Sequence, residues 1–298
     1  MERRSPYDVI VLDYHLHLWP HGQRDTAPTL DQLNEYCEMA AKNGINEIAI
    51  TEHLFRFVQV DRFLGGCFKK YPDTKVRTIM EEYWADHARA DLDTYVEVAL
   101  AAKAAGLPVV LGMEVDYYPE RMHEVSEFLG GYPFDVLLGS VHWLGAWPFD
   151  HVSDPVIMAE WDAFGIENAW RDYTRALEGL ADSGAVDVLA HPDLIKVAGH
   201  FPKVPEEFYD RMAEAARNSG IAAEVSSAGW RKPVREAYPA PYLLRKFFEY
   251  GIPITTASDA HGLADVAFRA DDIKSYVSSV GYVRLRGFKG RKPYDVAV

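Results

Sequence analysis

The chain is 298 residues long, 48% hydrophobic and 26% charged, the balance of a soluble globular protein able to bury a large core. A formal charge of −14 at pH 7 argues against a general nucleic-acid binder, because affinity for a polyanion rests on lysine and arginine neutralising phosphates. It leaves a small anionic substrate open, since a local cluster of cations outweighs a diffuse net field at short range.

No apolar run approaches membrane-spanning length, and Met1 to Pro6 lead straight into the first strand without the apolar stretch of a secretory signal. Cys37 and Cys67 lack CxxC spacing. We therefore expect two packing thiols, no zinc-thiolate site, no membrane partner and a cytoplasmic location. No linker, repeat or low-complexity stretch divides the sequence, so residues 1–298 read as one domain. Oligomeric state has no signal here.

The first strand is the β-branched run Val9-Ile10-Val11-Leu12, which ends in Asp13-Tyr14-His15-Leu16-His17. Strand alternation sends His15 and His17 to one side and Leu16 to the other, offering two imidazole nitrogens to one cation. His21 follows in a loop. A helix from Leu30 has Thr29 as its cap and Gly44 as its stop, and a second strand over 45–50 delivers Glu52 and His53. Residues 54–83 show no clear period and hold Gly65, Gly66 and Pro72, which reads as a long functional loop. A helix over 92–105 precedes a strand over 108–113 that ends at Glu114. A helix over 121–129 precedes the strand 134–140, with His142 just beyond. Helical periodicity over 161–180 leads to a strand over 186–190 that ends at His191. The helix 206–218 feeds strand 221–223 into Glu224, and the helix 241–250 feeds strand 252–257 towards Asp259 and His261. The C-terminal piece, with Arg284, Arg286, Lys289, Arg291 and Lys292, reads as a solvated tail around one extra strand.

About seven strand-then-helix units imply a parallel sheet with both faces covered, an α/β fold. Nearly every strand ends in a histidine or carboxylate, and a closed barrel brings such ends to one mouth where an open sheet would spread them along a crevice. The inventory is His15, His17, His21, Glu52, His53, Glu114, His142, His191, Glu224, Asp259 and His261. It is enough for two or three divalent ions of zinc, manganese or iron, all of which accept imidazole nitrogen and carboxylate oxygen. Glu114, in the middle of the ring, is the natural bridge. His87 and His123 read as solvated, and His151 and His200 as loop residues without a site role. Trp143 and Trp147 read as core filling or as ligand contacts beside His142.

Taken together, the HxH of His15 and His17, Glu52-His53, Glu114, Gly139-Ser140-Val141-His142, His191-Pro192-Asp193-Leu194-Ile195-Lys196 and Ser258-Asp259-Ala260-His261 resemble the PHP (polymerase and histidinol phosphatase) family. Trp147-Pro148-Phe149-Asp150 and Trp230-Arg231-Lys232-Pro233 are similar to its histidinol-phosphate phosphatase branch. The spacing of His17 and His21 is shorter than that pattern, and Leu54-Phe55-Arg56-Phe57 departs from it. The resemblance implies a distorted (β/α)7 TIM-like barrel with a trinuclear site. His15, His17, Glu114 and Asp259 would hold one metal, with Glu114 bridging to a second on His142 and His191, and a third on His21, His53 and His261. It also implies hydrolysis of a small phosphorylated metabolite, L-histidinol phosphate, by attack of a metal-activated hydroxide. Asp259 and His261 would then be catalytic. Arg231 is expected to grip the phosphate bidentately. Glu52 and Glu224 would either contact substrate or orient ligands. A phosphoesterase of broader specificity and a non-catalytic, metal-stabilised partner-binding domain are the alternatives.

Overall fold

Parallel strands alternate with helices through the computed structural model, which describes residues 11–20 and 27–298. Among these residues one sheet holds seven strands in sequence order: β1 (Leu12–Leu16), β2 (Glu47–Ile50), β3 (Val109–Asp116), β4 (Val136–Ser140), β5 (Val188–Leu189), β6 (Ala222–Ser226) and β7 (Ile254–Ala257). All neighbouring pairs run parallel. The sheet nearly closes on itself, because Leu16 bridges Ala260 beyond β7, His17 N–H donates to Ala260 O at 2.8 Å and Thr256 Oγ1 donates to Leu12 O at 2.7 Å. The expected barrel is therefore present.

The helices are α1 (Leu30–Lys42), α2 (Val58–Leu64), α3 (Lys75–His87), α4 (Leu92–Ala104), α5 (Met122–Leu129), α6 (Pro155–Phe164), α7 (Ile166–Asp182), α8 (Pro205–Ser219), α9 (Pro241–Glu249) and α10 (Ala270–Val280). Thr29 caps α1 by accepting Gln32 N–H at 3.1 Å, as its position before the apolar period implies. The outer core lies between strands and helices. In α7 the residues Trp170, Tyr173, Leu177 and Leu180 recur at helical spacing and are fully buried, each such side chain contributing about 1.5–3 kcal/mol.

Three expectations need correction. Residues 54–83 are not a loop, since α2, α3 and two short 3-10 turns occupy most of the segment. The helical pattern over 161–180 is two helices, broken at Gly165, whose φ of 83° suits glycine. The C-terminal piece is neither a lone strand nor a free tail. Strands β8 (Arg284–Lys289) and β9 (Lys292–Ala297) form an antiparallel hairpin after α10. This hairpin seals the N-terminal end of the barrel: Arg291 forks onto Asp187 at 3.0 Å to each carboxylate oxygen, and Gly290 and Arg291 N–H groups donate to Asp135. Phe288 N–H donates to Tyr14 Oη, and Tyr14 and Tyr294 both donate to Glu47. With this end closed, the opposite rim is left for the strand-end histidines and carboxylates. Among the described residues no helix is long and apolar enough to cross a membrane.

Candidate metal centre

The register of β1 shifts between Asp13 and Leu16, which pair with Ile48 and Ile50 of β2. Such a bulge re-aims side chains next to active sites, and here it leaves His15 and His17 together, their Nε2 atoms 3.1 Å apart. Glu114, on β3, is fully buried at the middle of the cluster. Its Oε1 lies 3.0 Å from His191 Nε2 and 3.3 Å from His142 Nε2. Its Oε2 lies 2.6 Å from His53 Nδ1, 3.4 Å from His15 Nε2 and 3.6 Å from His17 Nε2. Asp259 Oδ1 sits 3.5 Å from His17 Nε2 and 3.8 Å from His15 Nε2.

Four overlapping groups bring ligand atoms within 4.8 Å of one another: His15, His17 and Asp259; His15, Glu114 and His191; His53, Glu114 and His142; and His17, His53 and His261. These are eight of the nine expected ligands. His21 lies outside the described residues. Glu114 spans two groups, as a bridging carboxylate would, and His53 joins Glu114 and His142 as well as His17 and His261. Glu114 Oε2 is crowded by imidazole nitrogens, yet it has no hydrogen-bond partner of acceptable geometry. Divalent cations bound by nitrogen and oxygen account for that crowding, so the donor set fits the metal that the strand ends imply.

Burial alone would raise the Glu114 carboxyl, but His15, His53 and His142 outweigh it and hold it well below the usual range. Asp259 behaves alike: burial opposes ionisation, and His15, His17 and His261 hold the carboxyl well below its ordinary value. For His142, burial favours the neutral ring, but Glu114 and Asp116 raise it to about 10. His53 goes the other way, pushed well below its ordinary value by burial despite Glu114.

Behind the ligands stands a ring of carboxylates. His15 Nδ1 donates to Glu224 Oε2 at 2.8 Å, which frees Nε2 for a cation, and Glu224 Oε1 accepts His191 N–H at 3.2 Å. Glu52 Oε1 accepts Leu18 and Trp19 N–H at 2.6 and 2.9 Å, with Oε2 3.5 Å from His17 Nδ1. Both carboxylates are fully buried, so of the two roles open to them the geometry favours orienting ligands over contacting substrate. Sequence reasoning missed Asp116, two residues beyond Glu114 on the same face of β3, whose Oδ1 lies 2.6 Å from His142 Nδ1. It named Lys196 within the His191-to-Lys196 stretch without giving it a role; the side chain is buried, with Nζ reaching Asp193 at 2.9 Å, Glu236 at 2.6 Å and Ala237 O at 2.8 Å. A period-two scan outward from Glu114 points to Asp116.

Arg231 differs from its expected posture. Nη2 donates to Ser258 O at 2.8 Å and to Asp259 O at 2.9 Å, while Nη1 is buried without a partner. A two-pronged grip is therefore not available; one prong is committed to the turn in which Asp259 takes a φ of 51°. His191 is also left-handed, at 26°. Strained backbone at two ligands is sustained by the surrounding bonds.

A cavity of about 560 Å³ opens over the cluster. His53, His142, His191, Asp259 and His261 form its floor, with Phe55, Tyr83, Trp143, Asp150, His151 and Lys232 among its walls. Trp143 is thus both packed and pocket-lining, whereas Trp147 is core, its Nε1 donating to Ile157 O. His151 borders the cavity, contrary to expectation, and His87 is packed 4.0 Å from the Tyr83 ring instead of solvated. His123 is exposed and His200 packs on Trp161.

The PHP domain model matches residues 13–228, a span from the first strand through the sixth. The chain belongs to the PHP domain family. A protein named "Probable histidinol-phosphatase" from Deinococcus radiodurans is 34% identical to this PHP protein over 95% of the chain and 98% of the relative. The "Histidinol-phosphatase" of Bacillus subtilis is 27% identical, over 86% and 95%. Among solved structures, the Lactococcus lactis histidinol phosphate phosphatase, complexed with zinc, L-histidinol and phosphate, superposes with a TM-score of 0.67 at 18% identity, covering 95% of this PHP chain and 98% of that one. A Listeria monocytogenes protein described as a histidinol phosphatase gives 0.71 at 21%, covering 88% and 99%. At these identities the two structures speak to the fold of the PHP barrel.

Proposed function

We propose that this PHP protein is a metal-dependent phosphomonoesterase that hydrolyses L-histidinol phosphate to L-histidinol and phosphate. The observation that carries the reaction class is the convergence of four ligand triads around Glu114 at the floor of one cavity. The substrate rests on the Deinococcus and Bacillus relatives. His15, His17, His53, Glu114, His142, His191, Asp259 and His261 would hold two or three divalent ions, zinc, manganese or iron. When bound, these supply Lewis acidity and lower the pKa of water towards neutrality.

The chain's own groups do the rest. Asp259, kept anionic by its imidazole neighbours, orients the attacking water, with His261 Nδ1 3.5 Å from its Oδ1. Lys232, which borders the cavity, meets the phosphoryl oxygens, while Arg231, donating from Nη2 to Ser258 O and Asp259 O, holds the turn that carries Asp259 beside them. Glu224, Asp116 and Glu52 fix the ring orientations of His15, His142 and His17. Phe55 and Trp143 exclude bulk water, which strengthens every charge interaction inside.

Elemental analysis of the purified protein, paired with phosphate release from L-histidinol phosphate against a panel of other phosphate esters, tests this. Bound metal with efficient release from histidinol phosphate is expected. Fully metallated protein that ignores it while cleaving other esters would remove the substrate, and metallated protein that cleaves none would remove the reaction.

A further inference from the structure

Asp150 has no place in metal binding, yet its carboxylate borders the same cavity as the metal ligands. Its Oδ1 is buried and has no hydrogen-bond partner, although the residue as a whole is only half-buried and its charge is felt by His142 across the cavity. An anionic oxygen withdrawn from water without a partner is costly, so it persists where a ligand completes it. The surroundings narrow the ligand. Phe55, Tyr83 and Trp143 line the same space with aromatic surface, which suits a flat ring, while Lys232 is the permanently charged cation on the wall and suits the phosphate. Asp150 would repel a phosphate, so its complement is a cation on the other half of the ester. An alkylamine is protonated near neutral pH.

The geometry points to Asp150 as the residue that selects the leaving alcohol, its carboxylate receiving the alcohol's ammonium group while the aromatic wall receives the ring. This rests on the phosphomonoesterase reading and adds a selection rule: phosphate esters of amino alcohols are preferred over equal-sized esters without the amine. Lost charge-assisted hydrogen bonding at a half-buried site lining a cavity corresponds to a change on the order of ten- to a hundredfold in affinity.

The test compares L-histidinol phosphate with its deamino analogue on fully metallated wild type and Asp150→Asn. Wild type is expected to show a KM at least tenfold lower for the aminated ester. In Asp150→Asn that preference collapses: KM for histidinol phosphate rises on the order of ten- to a hundredfold, kcat and metal content hold, and KM for the deamino ester stays within about threefold. Equal effects on the two esters, or a fall in kcat at constant KM, would overturn the assignment. Should Asp150→Asn fail to fold, the wild type decides alone, through inhibition by L-histidinol and by deamino-histidinol. Equal inhibition constants overturn the inference, and at least tenfold weaker inhibition by the deamino compound upholds it. Wild type that cleaves histidinol phosphate but shows no amine preference sinks this inference only; wild type that cleaves neither ester sinks the histidinol phosphate assignment along with it.

Discussion

His15 and His17 point at a common space because a bulge in β1 and a carboxylate behind His15 leave their Nε2 atoms facing each other. Removing one such donor from a site whose members share cations should weaken the whole cluster. His15→Ala and Asp259→Ala are expected to lower bound metal and turnover together by a factor of ten or more, whereas the exposed His123→Ala should leave both unchanged; metal analysis and initial rates on the three variants check this. Protons compete for the same atoms. In the metal-free fold His142 is raised to about 10, so its protonated pairing with Glu114 and Asp116 stabilises that fold fully below about pH 6.5 and is lost as pH climbs through about 10. Loading a cation must expel that proton. Metal affinity should therefore rise with pH across this window, and calorimetry at pH 7 in two buffers of different ionisation enthalpy should show proton release; metal uptake with none would contradict the shift.

Among the elements, the strand ends were legible in the sequence because each short apolar run stops at a ligand, and Glu114, His142, His191 and Asp259 fall where those runs stop. Less legible was the stretch carrying α2 and α3. Gly65, Gly66 and Pro72 interrupt its pattern, and Phe55 and Met80 line the cavity, with Trp84 packed behind Phe55, instead of forming one continuous helix face. Paired carboxylates behind the ligands were equally hidden, since Asp116 and Asp193 acquire meaning only once β3 and the turn after β5 are set beside His142 and Lys196. Lys196 ties the turn that follows β5 to the segment after β6 through Asp193, Glu236 and Ala237 O. Lys196→Met keeps the bulk but leaves Asp193 buried without its cation, and should cost roughly 3–5 kcal/mol in denaturant unfolding of the metal-free protein. A loss below about 1 kcal/mol would mean the buried ammonium is dispensable.

On the scale of the whole molecule, stability and chemistry occupy opposite ends of the barrel. The hairpin of β8 and β9 is anchored by Arg291 on Asp187 and by the Gly290 and Arg291 amides on Asp135, far along the strands from the cavity floor. Arg291→Ala should lower stability by about 1–3 kcal/mol and the melting temperature by a few degrees, with metal content and kcat preserved. Loss of turnover in step with stability, at temperatures where the variant is fully folded, would show that the two ends are coupled.

That hairpin follows all seven barrel strands in the sequence, and the barrel seam depends on late residues too, since Asp13 meets Ser258 across 245 positions. A nascent chain therefore displays its first pair of imidazoles long before their carboxylate partner on the far side of the seam has been made. Cations should be captured only once the segment beyond β7 has been made and has closed against β1.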